Sequence, residues 1–397
     1  MSRFLFVVPP LVGHVNPTVG IAAELSARGH DVAWVGTEVV RKLTGPDSVV
    51  YGCDVPEHGL ERTADLKGPA AFQFLWEDFL IPLAEDMAPG VRAAIDDFGP
   101  DVVVSDQQAV AGGLIADSLG LTWVTSATTS AELINPLSGL PKVAAWLDGL
   151  IDDLRARIGA GNGDADPRMS PHGVLAFTTR ELLGQVELPP VVWLIGPSVA
   201  TRPSTSDFPW EWLDPAVPTV LVTLGTANAD AGAGFLKAAC EAIEGMTGVR
   251  AIILDPGGTL GETGDHILVR GHVPQLPLLE RVDAVVCHAG HNTVCEALWH
   301  SVPLVVAPIR DDQPIVAGQV VDAGAGVRLR FGRVTPDRIA AAIGAVLDPE
   351  GGYRRAAETV GLSFRAAGGA EAAADHLEGL LPRAGVSDRE HTEVGNR

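Results

Sequence analysis

The stretch GHVPQLPLLERVDAVVCHAGHNTVCEALWHSVPLVVAPIRDDQ, residues 271–313, decides the fold. Within it the apolar run Ala284–Cys287 breaks at His288-Ala289-Gly290, and a helical pattern follows over Asn292–His300. A second apolar run, Leu304–Ala307, ends at a proline, and a second helical pattern begins at Gln313. Runs without polar alternation are buried on both faces, as in strands of a parallel sheet covered by helices. The stretch therefore reads as two successive strand–helix units.

The same alternation extends outward. Strands are expected at Thr219–Leu224, Val249–Leu254 and Ile267–Val269, with helices over Phe235–Glu244, Gln313–Asp322 and Pro336–Leu347. The amino-terminal half repeats the pattern with strands at Phe4–Val8, Val32–Val35, Asp101–Ser105, Thr122–Thr125, Val174–Phe177 and Val192–Ile195. Its clearest helices are Thr18–Ala27 and Val110–Leu119. Between the halves, residues 196–218 are dense in Pro, Ser and Thr and lack any period, which reads as a linker. The expected architecture is α/β, with two doubly wound, Rossmann-like domains, 1–195 and 219–384, facing across a cleft. A polar, aperiodic tail follows at 385–397. Ligands of such sheets bind beyond the carboxyl ends of the strands, so the chemistry is sought there.

The chain has 397 residues, enough for two domains. Its 50 acidic against 28 basic residues give a net charge of −22, which speaks against nucleic acid or stable membrane association. A phosphorylated ligand would have to be held by local amides against that field. The 4 cysteines form no CxxC pair, which fits a reducing compartment. The early run FLFVV is too short for a signal peptide, and no apolar stretch approaches the roughly 20 residues of a membrane span. A cytoplasmic protein is expected, with a homodimer left open.

Candidate residues cluster after the strands. His14, in PPLVGHVNP, lies between the first strand and a helix expected from Pro17, and its imidazole suits a general base. A loop-capping role is the plainer alternative. Asp106 follows the strand expected at Asp101–Ser105 and precedes a helix; it either caps that helix or orients His14. Gly225 and Thr226 close the strand at 219–224. The helix start after Gly290 offers free amides to an anion, with His288 as an added donor. Glu296, one turn on, is placed for ribose hydroxyls, and Asp312 and Gln313 for those of a sugar. The segment at 70–87 carries Phe72, Phe74, Trp76 and Phe79, and a second amphipathic helix carries Trp146. About half of these aromatics are expected in the core and the rest around an apolar pocket. The Asp164-Ala165-Asp166 triplet falls in a glycine-rich loop and reads as a solvated turn rather than a metal motif. Cys287, His288, His291 and Cys295 do not have zinc-site spacing.

GHVPQ, CHAGHNTVCEAL, SVPLVVAP and DDQ, in this order, resemble the C-terminal signature of nucleotide-sugar-dependent glycosyltransferases of the GT-B fold. The branch is that of plant UDP-glycosyltransferases and bacterial natural-product (macrolide, enediyne, aromatic polyketide) glycosyltransferases. GHVNP at 13–17 and the Ser-Asp pair at 105–106 fit it too. The resemblance implies inverting transfer of a hexose or deoxyhexose from a UDP- or dTDP-sugar to a hydrophobic small molecule, without metal or other cofactor. It implies that His14 is the base and Asp106 its partner. Gly13, Thr226, His288, Gly290, Asn292 and Thr293 would surround the diphosphate, Glu296 the ribose, and Asp312 and Gln313 the sugar. Gln275 and the backbone of Val273 would face the nucleoside. His272 stands where many relatives carry a tryptophan that stacks on the base, which leaves UDP and dTDP both open, and His291 replaces a second usual tryptophan. Two rival readings share this fold. A nucleotide-sugar epimerase would act on donor alone, and a catalytically silent helper would bind nucleotide without turnover.

Overall fold

The computed structural model describes residues 1–55, 66, 68–134, 136–199, 207–225 and 232–382. Thr226 and the tail at 385–397 lie outside them. Two parallel sheets form the frame. The first contains β1 (Arg3–Val7), β2 (Asp31–Gly36), β3 (Val49–Gly52), β4 (Val102–Asp106), β5 (Trp123–Ala127), β6 (Val174–Ala176) and β7 (Val192–Leu194). Its order is β3-β2-β1-β4-β5-β6-β7. The second contains β8 (Thr219–Thr223), β9 (Arg250–Leu254), β10 (Ile267–Arg270), β11 (Ala284–Cys287), β12 (Leu304–Val306) and β13 (Gly326–Arg328). Its order is β10-β9-β8-β11-β12-β13.

The central strands are apolar on both faces because both faces are covered. Phe4 and Phe6 point into one core layer with Ile21 and Leu25, and Leu5 and Val7 into another with Leu83 and Met87. In register, Phe6 faces Trp34 on β2 and Val104 on β4. Each sheet reverses its winding once, between β1 and β4 in the first and between β8 and β11 in the second. Crevices open at such switch points beyond the carboxyl ends of the strands. His14 follows β1, Asp106 ends β4, Gly225 follows β8 and His288 follows β11. The topology thus brings the main candidates to two facing crevices.

Three features depart from the expected organisation. First, the helix after β1 spans Val12–Ala27 and begins five residues ahead of the expected Pro17. His14 is therefore in the first helical turn, not in a loop. Pro17 lies inside this helix, and its missing N–H leaves the Gly13 carbonyl, four residues back, without a helical donor. Second, the assigned domain end at 384 does not follow the cores. The helix Gly369–Gly379 buries Ala373, Ala374 and Leu377 against the first domain, beside Phe4 and Leu25. Its Glu378 pairs with His30 at 2.8 Å and Arg28 at 2.9 Å, and His376 stacks on Trp193 with centroids 4.4 Å apart. The chain returns to the first domain because those small apolar side chains form its one buried stripe. Third, the second half of the presumed linker is packed structure. Phe208, Trp210 and Trp212 lie on the second domain's core, with Arg281 over Trp210 and Arg250 over Trp212. Residues 200–206 of that linker lie outside the described residues.

Candidate active site

A cleft of ≈ 2470 Å³ runs between the two sheet edges. Ordinary single-ligand pockets span about 300–1,000 Å³, so two ligands fit end to end. His14, Gly13, His272, Val273, Gln275, His288, Gly290, Asn292, Thr293, Glu296, Asp312 and Gln313 all line it.

On the first domain, His14 Nδ1 lies 2.9 Å from Asp106 Oδ1. Asp106 is completely buried behind the ring, whereas 16% of the His14 side chain is exposed. Thr128, just past β5, completes the array. Its hydroxyl donates to Asp106 Oδ2 at 2.9 Å and sits 2.7 Å from His14 Nδ1. With Nδ1–H directed at this pair, the lone pair of the imidazole resides on Nε2. Burial pulls the His14 pKa down, but the charge and hydrogen bond of Asp106, with Asp312 farther away, outweigh it and hold the pKa above 6.5. Asp106 Oδ1 also accepts the Gln108 N–H at 2.8 Å. That bond closes the turn ahead of the helix Val110–Ser118, which starts at Ala109 without a side-chain cap, so Asp106 partners the histidine and does not cap the helix.

On the second domain, the turn after β11 wraps closely around His288. A β-carbon on Gly290 would lie 2.4 Å from His288 Nε2, and one on Gly225 would lie 2.7 Å from His288 Cε1. Gly225 has φ +69 besides, so it answers both demands. Ala289 and Asp311, in the loops after β11 and β12, adopt φ 66 and 56, a region non-glycine residues seldom occupy. Such strain persists where surrounding structure imposes it. Burial, with Arg310 nearby, lowers the His288 pKa to about 4, so the ring is neutral at physiological pH. Its Nδ1 is buried without a hydrogen-bond partner among the described residues. The helix His291–Trp299 starts at Gly290, and its first N–H groups have no intrahelical acceptors. Glu296, 4% exposed, accepts a hydrogen bond from Gln275 Nε2 at 2.6 Å, which ties the two expected nucleoside contacts together.

Several candidates also hold the domains together. Asn292 Nδ2 donates to the Gly13 carbonyl at 2.6 Å, the very acceptor that Pro17 leaves free. Thr129 donates to Asp312 Oδ2 at 2.6 Å, and Ser130 to Gln319 Oε1 at 2.7 Å. Burial raises the Asp312 pKa, against the lowering effect of the Thr129 hydrogen bond. Gln313 Oε1 accepts the N–H groups of Ile309 and Arg310, so its carbonyl end secures its own loop. His291 also lines the cleft, and its Nε2 lies 3.1 Å from the Phe177 carbonyl and 3.5 Å from Cys295 Sγ.

The aromatic wall is partly as expected. Phe72, Trp76, Phe79 and Trp146 line the first-domain half of the cleft, and the Phe72 and Trp146 rings lie 6.1 Å apart. Phe74 does not line it. Residues 69–98 are continuously helical through a wide turn at Leu75–Leu80, so 72, 76 and 79 share a face and 74 points elsewhere. Thr128, Thr129, Glu132 and Arg168 also line the cleft, and none of them belongs to a recognisable motif. The hydroxyl-rich run Thr125–Ser130, which continues β5 into the loop after it, was the available signal for Thr128 and Thr129.

Twin parallel sheets whose switch points open on one cleft give the two-domain architecture of the GT-B fold. Comparison with known proteins agrees. Residues 252–373 match the family described as "Erythromycin biosynthesis protein CIII-like, C-terminal domain". The chain is 29% identical to 4'-demethylrebeccamycin synthase of Lentzea aerocolonigenes, across 96% of this chain and 100% of that protein. The crystal structure of the kitacinnamycin glycotransferase superimposes with a TM-score of 0.76 at 27% identity, covering 96% of this chain and 99% of that one. A spinosyn rhamnosyltransferase solved with thymidine diphosphate shares the fold, with a TM-score of 0.75 at 21% identity over 95% of this chain and 100% of that one.

Proposed function

We propose that the protein is an inverting, metal-independent glycosyltransferase that moves a hexose or deoxyhexose from a UDP- or dTDP-sugar to a hydrophobic small-molecule acceptor. The observation that carries this reading is the buried His14–Asp106–Thr128 array facing, across one cleft, the glycine-tight turn around His288. The acceptor lies along the aromatic wall of the first domain and the nucleotide lies on the second. His14 Nε2 takes the acceptor proton while Asp106 and Thr128 stabilise the imidazolium that forms. The acceptor oxygen attacks the anomeric carbon from the face opposite the diphosphate, and inversion follows. The helix amides after Gly290 and the neutral His288 receive the charge that develops on the leaving diphosphate. Glu296, braced by Gln275, takes the ribose hydroxyls, and Asp312 the sugar.

Thermal shift with a panel of UDP- and dTDP-sugars tests the donor class, since a bound ligand raises the melting temperature by mass action. Product formation with the best donor and a flat phenolic acceptor is expected to persist in excess EDTA. Epimerised sugar from donor alone, or dependence on magnesium or manganese, would overturn the reading.

A further inference from the structure

We propose that the acceptor half of the cleft binds a protonated amine, with Glu132 as its counter-ion. The proposal rests on the reading that this half of the cleft takes the acceptor.

Glu132 opens the short turn Glu132–Ile134, just past the Thr128–Thr129 loop that reaches His14 and Asp312. It lines the cavity and is partly buried. The cation beside it is Arg168, but that guanidinium is already engaged. Its Nε and Nη2 grip Asp166 as a fork at 2.9 and 2.7 Å, and its Cζ lies 5.9 Å from the Trp76 ring centre. Toward Glu132 it offers only Nη1, at 3.6 Å, outside hydrogen-bond range. No other described residue hydrogen-bonds the Glu132 carboxylate. Two carboxylates therefore share one guanidinium, and the shared charge goes to Asp166.

The surroundings sharpen the deficit. Burial raises the Glu132 pKa, and Arg168 lowers it less than burial raises it, while Asp166 and Asp312 add like charge. A carboxylate withdrawn from water and short of a partner gains most from a cation that also donates N–H groups. The same half of the cleft is lined by Trp76, Phe72 and Trp146, and Trp76 stands against the Arg168 that faces Glu132. Aromatic faces attract an ammonium while burying the apolar body that carries it. The combination selects an apolar acceptor bearing a basic nitrogen, and the placement next to the Thr128 loop sets that nitrogen near the reacting end of the molecule.

Calorimetric titration with a matched pair, 2-naphthylmethylamine and 2-naphthalenemethanol, tests this. The wild type is expected to bind the amine about tenfold more tightly than the alcohol at neutral pH. The preference is expected to shrink as salt is added, since part of it is ionic. Glu132→Gln is expected to bring the two affinities together while leaving UDP or dTDP binding unchanged. Equal affinities in the wild type, no binding of either probe, or a preference that survives Glu132→Gln overturns the proposal. If Glu132→Gln does not fold, the salt dependence of the wild-type preference decides alone. Loss of nucleotide binding in the wild type would instead strike the glycosyltransferase reading, and the amine preference would still be read separately.

Discussion

The two walls of the cleft are built by different means. The second-domain wall is made of backbone: a turn after β11 closed around His288 by Gly225 and Gly290, and a helix start whose amides point outward. The first-domain wall is made of side chains: a helical face of Phe72, Trp76 and Phe79, and an imidazole held by Asp106 and Thr128. A backbone site suits a ligand part that is common to all donors, because N–H groups recognise an anion whatever is attached to it. A side-chain wall is replaceable position by position and suits the variable acceptor. The division predicts that substitutions on one wall leave binding at the other untouched.

The sharpest way to break the comparison is His14→Ala. It is expected to lower turnover by about 10²–10⁴-fold with nucleotide affinity unchanged. Steady-state kinetics beside nucleotide calorimetry checks this, and a matching loss of nucleotide binding would put His14 on the wrong wall. The same residue predicts a pH profile. The base works unprotonated, and Asp106 holds its pKa above 6.5, so activity is expected to rise with pH through a limb above that value. Asp106→Asn removes the carboxylate, and the limb is expected to move to lower pH as the rate falls.

Gly290→Ala tests the backbone wall. The added methyl would meet His288 Nε2 at 2.4 Å. Displacement of the ring is expected to weaken UDP or dTDP by about tenfold, with acceptor binding unaltered in the same titration.

The aromatic face is tested by a pair. Phe72→Ala is expected to raise the acceptor KM by several-fold, up to about tenfold, whereas Phe74→Ala is expected to leave it unchanged. Equal effects would show that the helical face is misassigned. The smallest effect is expected where the walls meet. Thr129→Val removes the donor to Asp312, which is worth about 1 kcal/mol. It is expected to lower kcat/KM with intact donor by about fivefold, with free-nucleotide affinity unchanged.

How readable each part was follows from how local it is. His288, Gly290 and Glu296 share one strand–turn–helix unit, so their grouping follows from chain order alone. Asp106 sits 92 residues from His14, and local sequence could not choose between its two roles. Thr128 and Thr129 are ordinary residues whose importance lies in what crosses the cleft to meet them. Phe74 looked equivalent to Phe72 in composition and differs only by its angle on the helix. The helix Gly369–Gly379 follows the second domain in sequence, but its small apolar stripe fits the first.

The sequence by itself determined the two βα frames, the strand ends that Asp106, His288 and Asp312 occupy or follow, and the turn at Gly290 before the next helix. Each depends on periodicity or on backbone geometry within a few residues. The tertiary structure alone decided the contacts between distant segments. It placed Thr128 on the His14–Asp106 pair, Asn292 on the carbonyl that Pro17 leaves free, Thr129 on Asp312, and Glu132 beside an arginine already committed to Asp166. Those pairings depend on which sheet edges face each other, and the packing of two whole cores sets that.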